Sequence, residues 1–328
     1  MKKIGWSGFF VAAALLTVAV AAEAQQPGKI FRIGYLDNSS ASGSAGLVKV
    51  FRQELSKLGW IEGKNIVIEY RFAENKGPSR LPELAADLVH LKVDLILVTG
   101  PPPALAAKSA TTTIPIVMMT AGDPVGAGLV ASLARPGGNI TGLSNLATEL
   151  ITKRLEILKD AVPKLARVGL LRPAGTGQFQ MKALRPAALA LKLKLEEIET
   201  QPDGKGLESA FNTAKQKQVG AIMTTANRVF FAERKRIAEL ASKHRLPAIY
   251  PEKGFVDEGG LMSYGADYDD LYRRAAAYVD KILKGAKAAD LPVQQATKFE
   301  FVINLKAAKQ IGLTIPGRVL ERANQVIR

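Results

Sequence analysis

Apolar residues along this chain gather in short, β-branched runs, and each run is followed by a longer stretch in which apolar positions recur every three or four residues. A buried strand feeding an amphipathic helix, repeated in this way, predicts βαβ units around a parallel sheet. The order then recurs. Arg32–Leu36 (RIGYL) is echoed by Arg167–Leu171 (RVGLL), Val93–Val98 by Val219–Met223, and Ile114–Met118 by Leu246–Tyr250. Partners lie roughly 130 residues apart, so the pattern predicts two lobes of one architecture rather than one continuous sheet.

Breaks in both periods place the connections. Ala134-Arg135-Pro136-Gly137-Gly138-Asn139 predicts a bent linker, with Thr141-Gly142-Leu143-Ser144 leading into a helix from about Glu149 to Ala161. The first passage between lobes is expected just after that turn. Further passages are expected near Gly259–Gly265 and near Ala296–Phe299, around an amphipathic helix from Asp269 to Lys284. The expected division is residues 28–143 plus about 262–290 for lobe 1, and 144–261 plus about 291–328 for lobe 2. Several connections between two rigid lobes make a hinge about which they can close.

The N-terminus has a separate pattern. Met1-Lys2-Lys3 is followed by an almost wholly apolar run from Ile4 to Val20 and then by Ala22-Glu23-Ala24, a small-x-small site. Residues 1–24 therefore read as an export signal cleaved after about Ala24. The apolar run is short for a bilayer span of ~20 residues. With 0 cysteines the chain has no residue for lipid anchoring at the cleavage site, no disulfides and no thiolate metal site. The mature protein is thus expected to diffuse freely in a periplasm, which implies a Gram-negative cell.

A chain of 328 residues with 47% hydrophobic content suits two globular cores. The formal net charge of +15 raises the question of nucleic acid. Its basic residues, however, are interspersed with acids on helical stretches such as Glu233-Arg234-Lys235-Arg236, and no basic run is interleaved with aromatics. The charge is assigned to solvated helix faces, and no nucleic-acid partner is expected.

Several runs carry a resemblance. Leu58–Ile66 (LGWIEGKNI) with Glu69-Tyr70-Arg71, Gly122–Val130 (GDPVGAGLV), Leu133–Gly142 (LARPGGNITG), His244–Tyr250 (HRLPAIY) and Gly260–Gly265 (GLMSYG) follow one another in a specific order. In them the sequence resembles the substrate-binding proteins of ABC importers, in the group that includes tryptophan- and tyrosine-type receptors, over nearly the whole mature chain. The resemblance implies the type I periplasmic-binding-protein fold, an α/β architecture of two Rossmann-like lobes with parallel sheets joined by a multi-strand hinge. It also implies a small-molecule ligand, amino-acid-like and aromatic in the best-known members, held between the lobes of a monomer. The implied partners are ABC permease subunits at the inner membrane, with no enzymatic activity and no cofactor.

Independently of that likeness, an open parallel sheet presents its crevice beyond the carboxyl ends of its strands. The loops there are Asp37-Asn38-Ser39-Ser40, Thr99-Gly100 and Gly122-Asp123 in the first half, and Arg172 to Thr176, Thr225 to Asn227 and Pro251-Glu252 in the second, with Tyr264 at a passage between lobes. Hydroxyls and free N–H groups at helix starts suit a ligand carboxylate, although Ser39, Ser40, Thr176 and Asn227 serve equally as helix caps. Asp37 and Asp123 are the candidate partners for a ligand amine, Arg172 the candidate cation, and Tyr250, Tyr264 and Phe230 the candidate aromatic walls. Two departures from the family pattern fall here: the usual Gly-Thr-Pro reads Gly100-Pro101-Pro102-Pro103, and the usual Asn-Pro reads Arg172-Pro173. The ligand is therefore expected to differ from that of the aromatic amino-acid receptors.

The rival classes lack their motifs. His90 and His244 lie in helical runs and no Gly-x-Ser-x-Gly elbow accompanies them, against a hydrolase. No His, Asp and Glu cluster has metal-ligand spacing, and neither nucleotide-binding glycine pattern is present. A receptor feeding a signalling system rather than an importer remains the alternative, since the same closing lobes serve both.

Overall fold

The computed structural model describes residues 29–74 and 78–328, so the expected export signal lies outside the described residues. In chain order the elements are β1 (Phe31–Asp37), α1 (Ala41–Lys57), β2 (Ile66–Phe72), α2 (Leu81–His90), β3 (Leu95–Val98), α3 (Pro101–Ala110), β4 (Ile116–Ala121) and β5 (Ile140–Ser144). There follow α4 (Ala147–Ala161), β6 (Arg167–Pro173), α5 (Gln178–Ala190), β7 (Lys194–Thr200), α6 (Gly204–Gln216), β8 (Ala221–Thr224), α7 (Arg228–Ala232), α8 (Arg234–Lys243), β9 (Ala248–Tyr250) and α9 (Gly254–Asp257). The last part holds β10 (Met262–Ala266), α10 (Tyr268–Leu283), β11 (Gln294–Gln295), β12 (Phe299–Asn304), α11 (Leu305–Gln310), α12 (Gly317–Leu320) and β13 (Gln325–Ile327).

Two sheets result, in the orders β11-β5-β4-β3-β1-β2 and β13-β12-β10-β9-β8-β6-β7. Every pairing is parallel except that of β10 with β12. Both sheets are covered on both faces, as parallel sheets require, because successive strand side chains point to opposite sides. In the first, Leu95 and Leu97 pack with Phe51 of α1 and Leu271 and Val279 of α10, while Ile96 and Val98 face Leu84 and Leu88 of α2. In the second, Leu170 and Met223 meet Ile151 and Leu155 of α4, while Leu171 and Ile222 meet Phe211 of α6 and Ile237 of α8.

The chain passes between lobes three times: between β5 and α4, between β10 and α10, and between β11 and β12. The lobe limits differ from the expected ones. Residues 262–266 were expected in lobe 1, yet β10 pairs with β9 and β12 of the second sheet, and β11, expected in lobe 2, pairs with β5 of the first. The difference arises because Gly259–Gly265 reads as a loop from its glycines, while the residues after Gly260 form a buried strand. The expected linker Ala134–Asn139 is followed directly by β5, which carries the chain to the first passage.

The two lobes touch directly where α1 faces α7. A Cβ at Gly43 would come within 2.6 Å of the Ala232 Cβ and 3.1 Å of its Cα, so this approach requires glycine on the first lobe. Neither obstacle is the flexible end of a side chain, and relief must come from moving one lobe. Gly43→Leu is expected to hold the lobes apart, raising the radius of gyration in small-angle scattering while each core keeps its stability within about 0.5 kcal/mol. Unchanged scattering would mean that this contact does not govern the solution conformation.

Candidate functional site

Because strands in both sheets run toward the same cleft, their carboxyl-terminal loops face each other there, and the cleft contains two connected chambers. The inner one, of about 50 Å³, is lined from lobe 1 by Asn38, Thr99, Gly100 and Thr120, from lobe 2 by Gln180, Asn227 and Arg228, and by Asn145 and Tyr268 at the passages between lobes. The outer one, of about 450 Å³, has an apolar lining of Leu81, Pro82, Leu105 and Phe179, with Asp123, Thr148 and Thr176 on its walls. Pro101, Pro102, Gly122, Gln180, Ala226 and Asn227 border both. The outer volume lies within the ~300–1,000 Å³ of small-molecule sites.

Arg228 is the charged centre of the inner chamber. It is 6% exposed, and its guanidinium carbon sits 4.4 Å from the Phe231 ring centroid and 4.6 Å from that of Tyr268, so it is flanked by an aromatic ring from each lobe. Nη2 donates to the buried Glu252 carboxylate, while Nη1 is buried without a partner among the described residues. Burial opposes the charge on Arg228, and Glu252 more than compensates, so the Arg228 pKa stands above the ordinary arginine value. Burial pushes the Glu252 carboxyl above its usual value, with Arg228 pulling it back. The Tyr268 hydroxyl accepts from Asn145 Nδ2 at 2.7 Å, tying the start of α10 to the first passage between lobes.

Arg154 of α4 lies nearby, 1% exposed. Its Nη1 donates to the Tyr264 carbonyl at 3.2 Å, while Nε and Nη2 have no partner among the described residues. Burial lowers its pKa to about 10. Two further polar atoms in the inner lining, Asn38 Oδ1 and Thr99 Oγ1, are buried and unpartnered; Thr225 Oγ1, two residues before Asn227 in sequence, is also unpartnered, although Thr225 lines neither chamber. Buried polar atoms are ordinarily paired, and each left unpaired costs roughly 1–3 kcal/mol. The cleft therefore concentrates unmet hydrogen-bonding capacity from both lobes at one place.

Of the residues expected at the site, Asn38, Thr99, Gly100, Gly122, Asp123, Thr176 and Asn227 line one chamber or both. Asp37 does not. Its carboxylate accepts from Ser39 N at 2.9 Å, Ser39 Oγ at 3.0 Å, Ser44 Oγ at 2.6 Å and Tyr35 Oη at 3.2 Å, which fills its four acceptor positions and fastens β1 to α1. Ser39 serves the same cluster, and Ser40 caps α1 through the Gly43 N–H. Arg172 is engaged at 2.5 Å by Glu199 and donates to the Thr176 carbonyl at 3.0 Å, bracing the turn after β6 instead of entering the cleft. Tyr250 is stacked on Phe255 at 4.6 Å in the lobe 2 core, where Phe230 also packs, and Tyr264 meets Phe301 edge to face. Asp123 takes the Gly126 N–H at 2.8 Å as a turn residue and still borders the outer chamber.

Sequence reasoning missed Arg228, Asn145, Gln180 and Tyr268. Arg228 directly follows the strand-end loop Thr225–Asn227, so adjacency to that loop was an available signal. The other three reach the cleft through lobe packing, which leaves no local pattern.

Comparison with known proteins gives a consistent picture. A family model described as ABC transporter substrate binding protein matches residues 40–327. A tyrosine-binding protein of Clostridioides difficile (strain R20291) is 31% identical over 270 residues, which is 81% of this chain and 76% of that protein. Among solved structures, a conserved domain protein from Vibrio cholerae superposes with TM-score 0.83 at 29% identity, over 91% of this chain and 100% of that one. An ABC domain in complex with L-Trp from Streptococcus pneumonia gives TM-score 0.78 at 28% identity, over 90% and 100%.

The contrast between Asp37 and its neighbour is testable. Asp37→Ala strands several buried donors and is expected to cost about 1–3 kcal/mol of unfolding free energy, measured by urea denaturation. Asn38→Ala, which removes an already unpartnered oxygen, is expected to leave stability within about 0.5 kcal/mol. Equal losses in the two variants would contradict this assignment.

Proposed function

Since the chain belongs to the ABC transporter substrate-binding protein family, we propose that it is the extracytoplasmic receptor of an ABC importer, capturing one small solute between its lobes and presenting the closed form to permease subunits. The observation that carries this reading is the inner chamber itself: Asn38 Oδ1 and Thr99 Oγ1 from one lobe and Arg228 Nη1 from the other are buried without partners around a common space. A solute with a compact polar head would supply those partners and would hold the lobes together in doing so. The outer chamber, with Leu81, Pro82, Leu105 and Phe179, then takes an apolar body.

A compact polar head on an apolar body describes a molecule built like an amino acid, aromatic or branched. The tyrosine-binding protein and the L-Trp complex among its relatives support that choice. Pro101, which borders both chambers, stands where the family pattern has a hydroxyl, so the ligand finds no hydrogen-bonding side chain at that position. Among the described residues no helix is long and apolar enough to cross a membrane. The expected export signal at residues 1–24 and the lack of cysteine support a periplasmic location.

The test is a melting-temperature screen of amino acids, aromatic and aliphatic acids, amides and sugars, with native mass spectrometry for stoichiometry. One solute is expected to bind once per chain and to stabilise by RT ln(1 + [L]/Kd), about 2.7 kcal/mol at one hundred times Kd. If no solute shifts melting and no small molecule co-purifies, the receptor reading fails.

A further inference from the structure

We propose that Arg228 is the carboxylate anchor of the cleft, so that the solute is a monocarboxylate seated acid-first in the inner chamber, and that the chamber reads the acid and not an α-amine. This rests on the receptor reading above and names the chemical class that the cleft takes.

Arg228 is the one charged side chain lining the inner chamber among the described residues. Its guanidinium is committed on one side only. Phe231 and Tyr268 cover its faces and Glu252 takes Nη2, which leaves Nη1 as a buried donor of fixed direction. A planar guanidinium held in this way is preorganised for a carboxylate, because its rotamer entropy is already spent and its charge already desolvated. The inner chamber is much the smaller of the two, about 50 Å³ against about 450 Å³, so the compact acid group sits inward and the apolar body outward, among Leu81, Leu105 and Phe179.

The same lining argues against recognition of an amine. A buried ammonium needs a carboxylate close by. Asp37, the acid nearest in sequence to the inner lining, has its four acceptor positions filled from within lobe 1. Glu252 is the partner of Arg228. What remains for a substituent beside the acid are neutral acceptors, Asn38 Oδ1 and Thr99 Oγ1, which suit a hydroxyl. Asp123 is the one acid of the outer chamber among the described residues, and it stands where the body of an acid-first ligand lies.

Calorimetry on the full mature chain with matched trios tests both parts: L-tryptophan, indole-3-lactate and indole-3-propionamide, then the phenylalanine, phenyllactate and phenylpropionamide set. The hydroxy acids are expected to bind at least as tightly as the amino acids, and the amides at least 30-fold more weakly than the acids, about the loss on removing one side of a buried charge pair. Arg228→Gln is expected to weaken the acids by roughly 30-fold or more and the amides by less. Because that variant leaves Glu252 buried and unpaired, the double variant Arg228→Gln/Glu252→Gln serves where the single one fails to fold, with the same expected loss. Amides that bind as well as acids, or acid binding unaltered in a folded Arg228 variant, would overturn the anchor. A tenfold preference for the amino acids would overturn the claim that the amine goes unread. Tight binding of a neutral sugar instead would remove the anchor and leave the receptor reading standing, whereas no binding by any class removes both.

Discussion

The cleft depends on the way Arg228 is held. An arginine buried to this degree opposes folding unless its charge is met, and here Glu252 meets it from within the same lobe while the Tyr268 ring covers it from the other. Removing the carboxylate would leave an uncompensated buried cation, a far larger cost than the pair's own net contribution. The geometry that solves this electrostatic problem also brings α7 against α1 and ties α10 to the first passage through Asn145. Charge, aromatic cover and lobe contact are therefore parts of one arrangement.

The second constraint is topological. Two parallel sheets, each covered by helices on both faces, leave strand ends as the one place where backbone and polar side chains meet a neighbour without being consumed by a core. Some of these ends are nonetheless used internally. Asp37 and Ser39 weld β1 to α1, and Arg172 braces the turn after β6, so polar residues at equivalent strand ends have divided between holding the lobes rigid and facing the solute. Rigid lobes are what let a modest number of contacts at the cleft control the whole movement.

Much of the fold was legible because β1, β3, β4 and their counterparts β6, β8 and β9 are buried on both faces and read as unbroken apolar runs. The strands β2 and β7 were not, since they lie at sheet edges and alternate with charged residues, as in Lys194–Thr200. β10 was hidden by its glycines. At the site, strand-end reasoning named Asn38, Thr99 and Asn227, which depend only on where a strand stops. It over-weighted Asp37 and Arg172, because a charged residue in a cleft loop and one satisfied by its own lobe have the same sequence. Tyr268 and Asn145 were out of reach for the opposite reason: their roles follow from contacts between distant segments, whereas Arg228 sits directly after the strand-end loop Thr225–Asn227 and was passed over.

The central claim is that this cleft closes on a solute. The chain has 0 cysteines, so paired spin labels can be placed without interference at Lys108→Cys on α3 and Lys182→Cys on α5, exposed positions one on each side of the outer chamber. Electron–electron resonance distances between them should be broad or long without solute, and should collapse to a single short population when a melting-stabilising solute is added. A distance distribution that the same solute leaves unchanged would contradict the account.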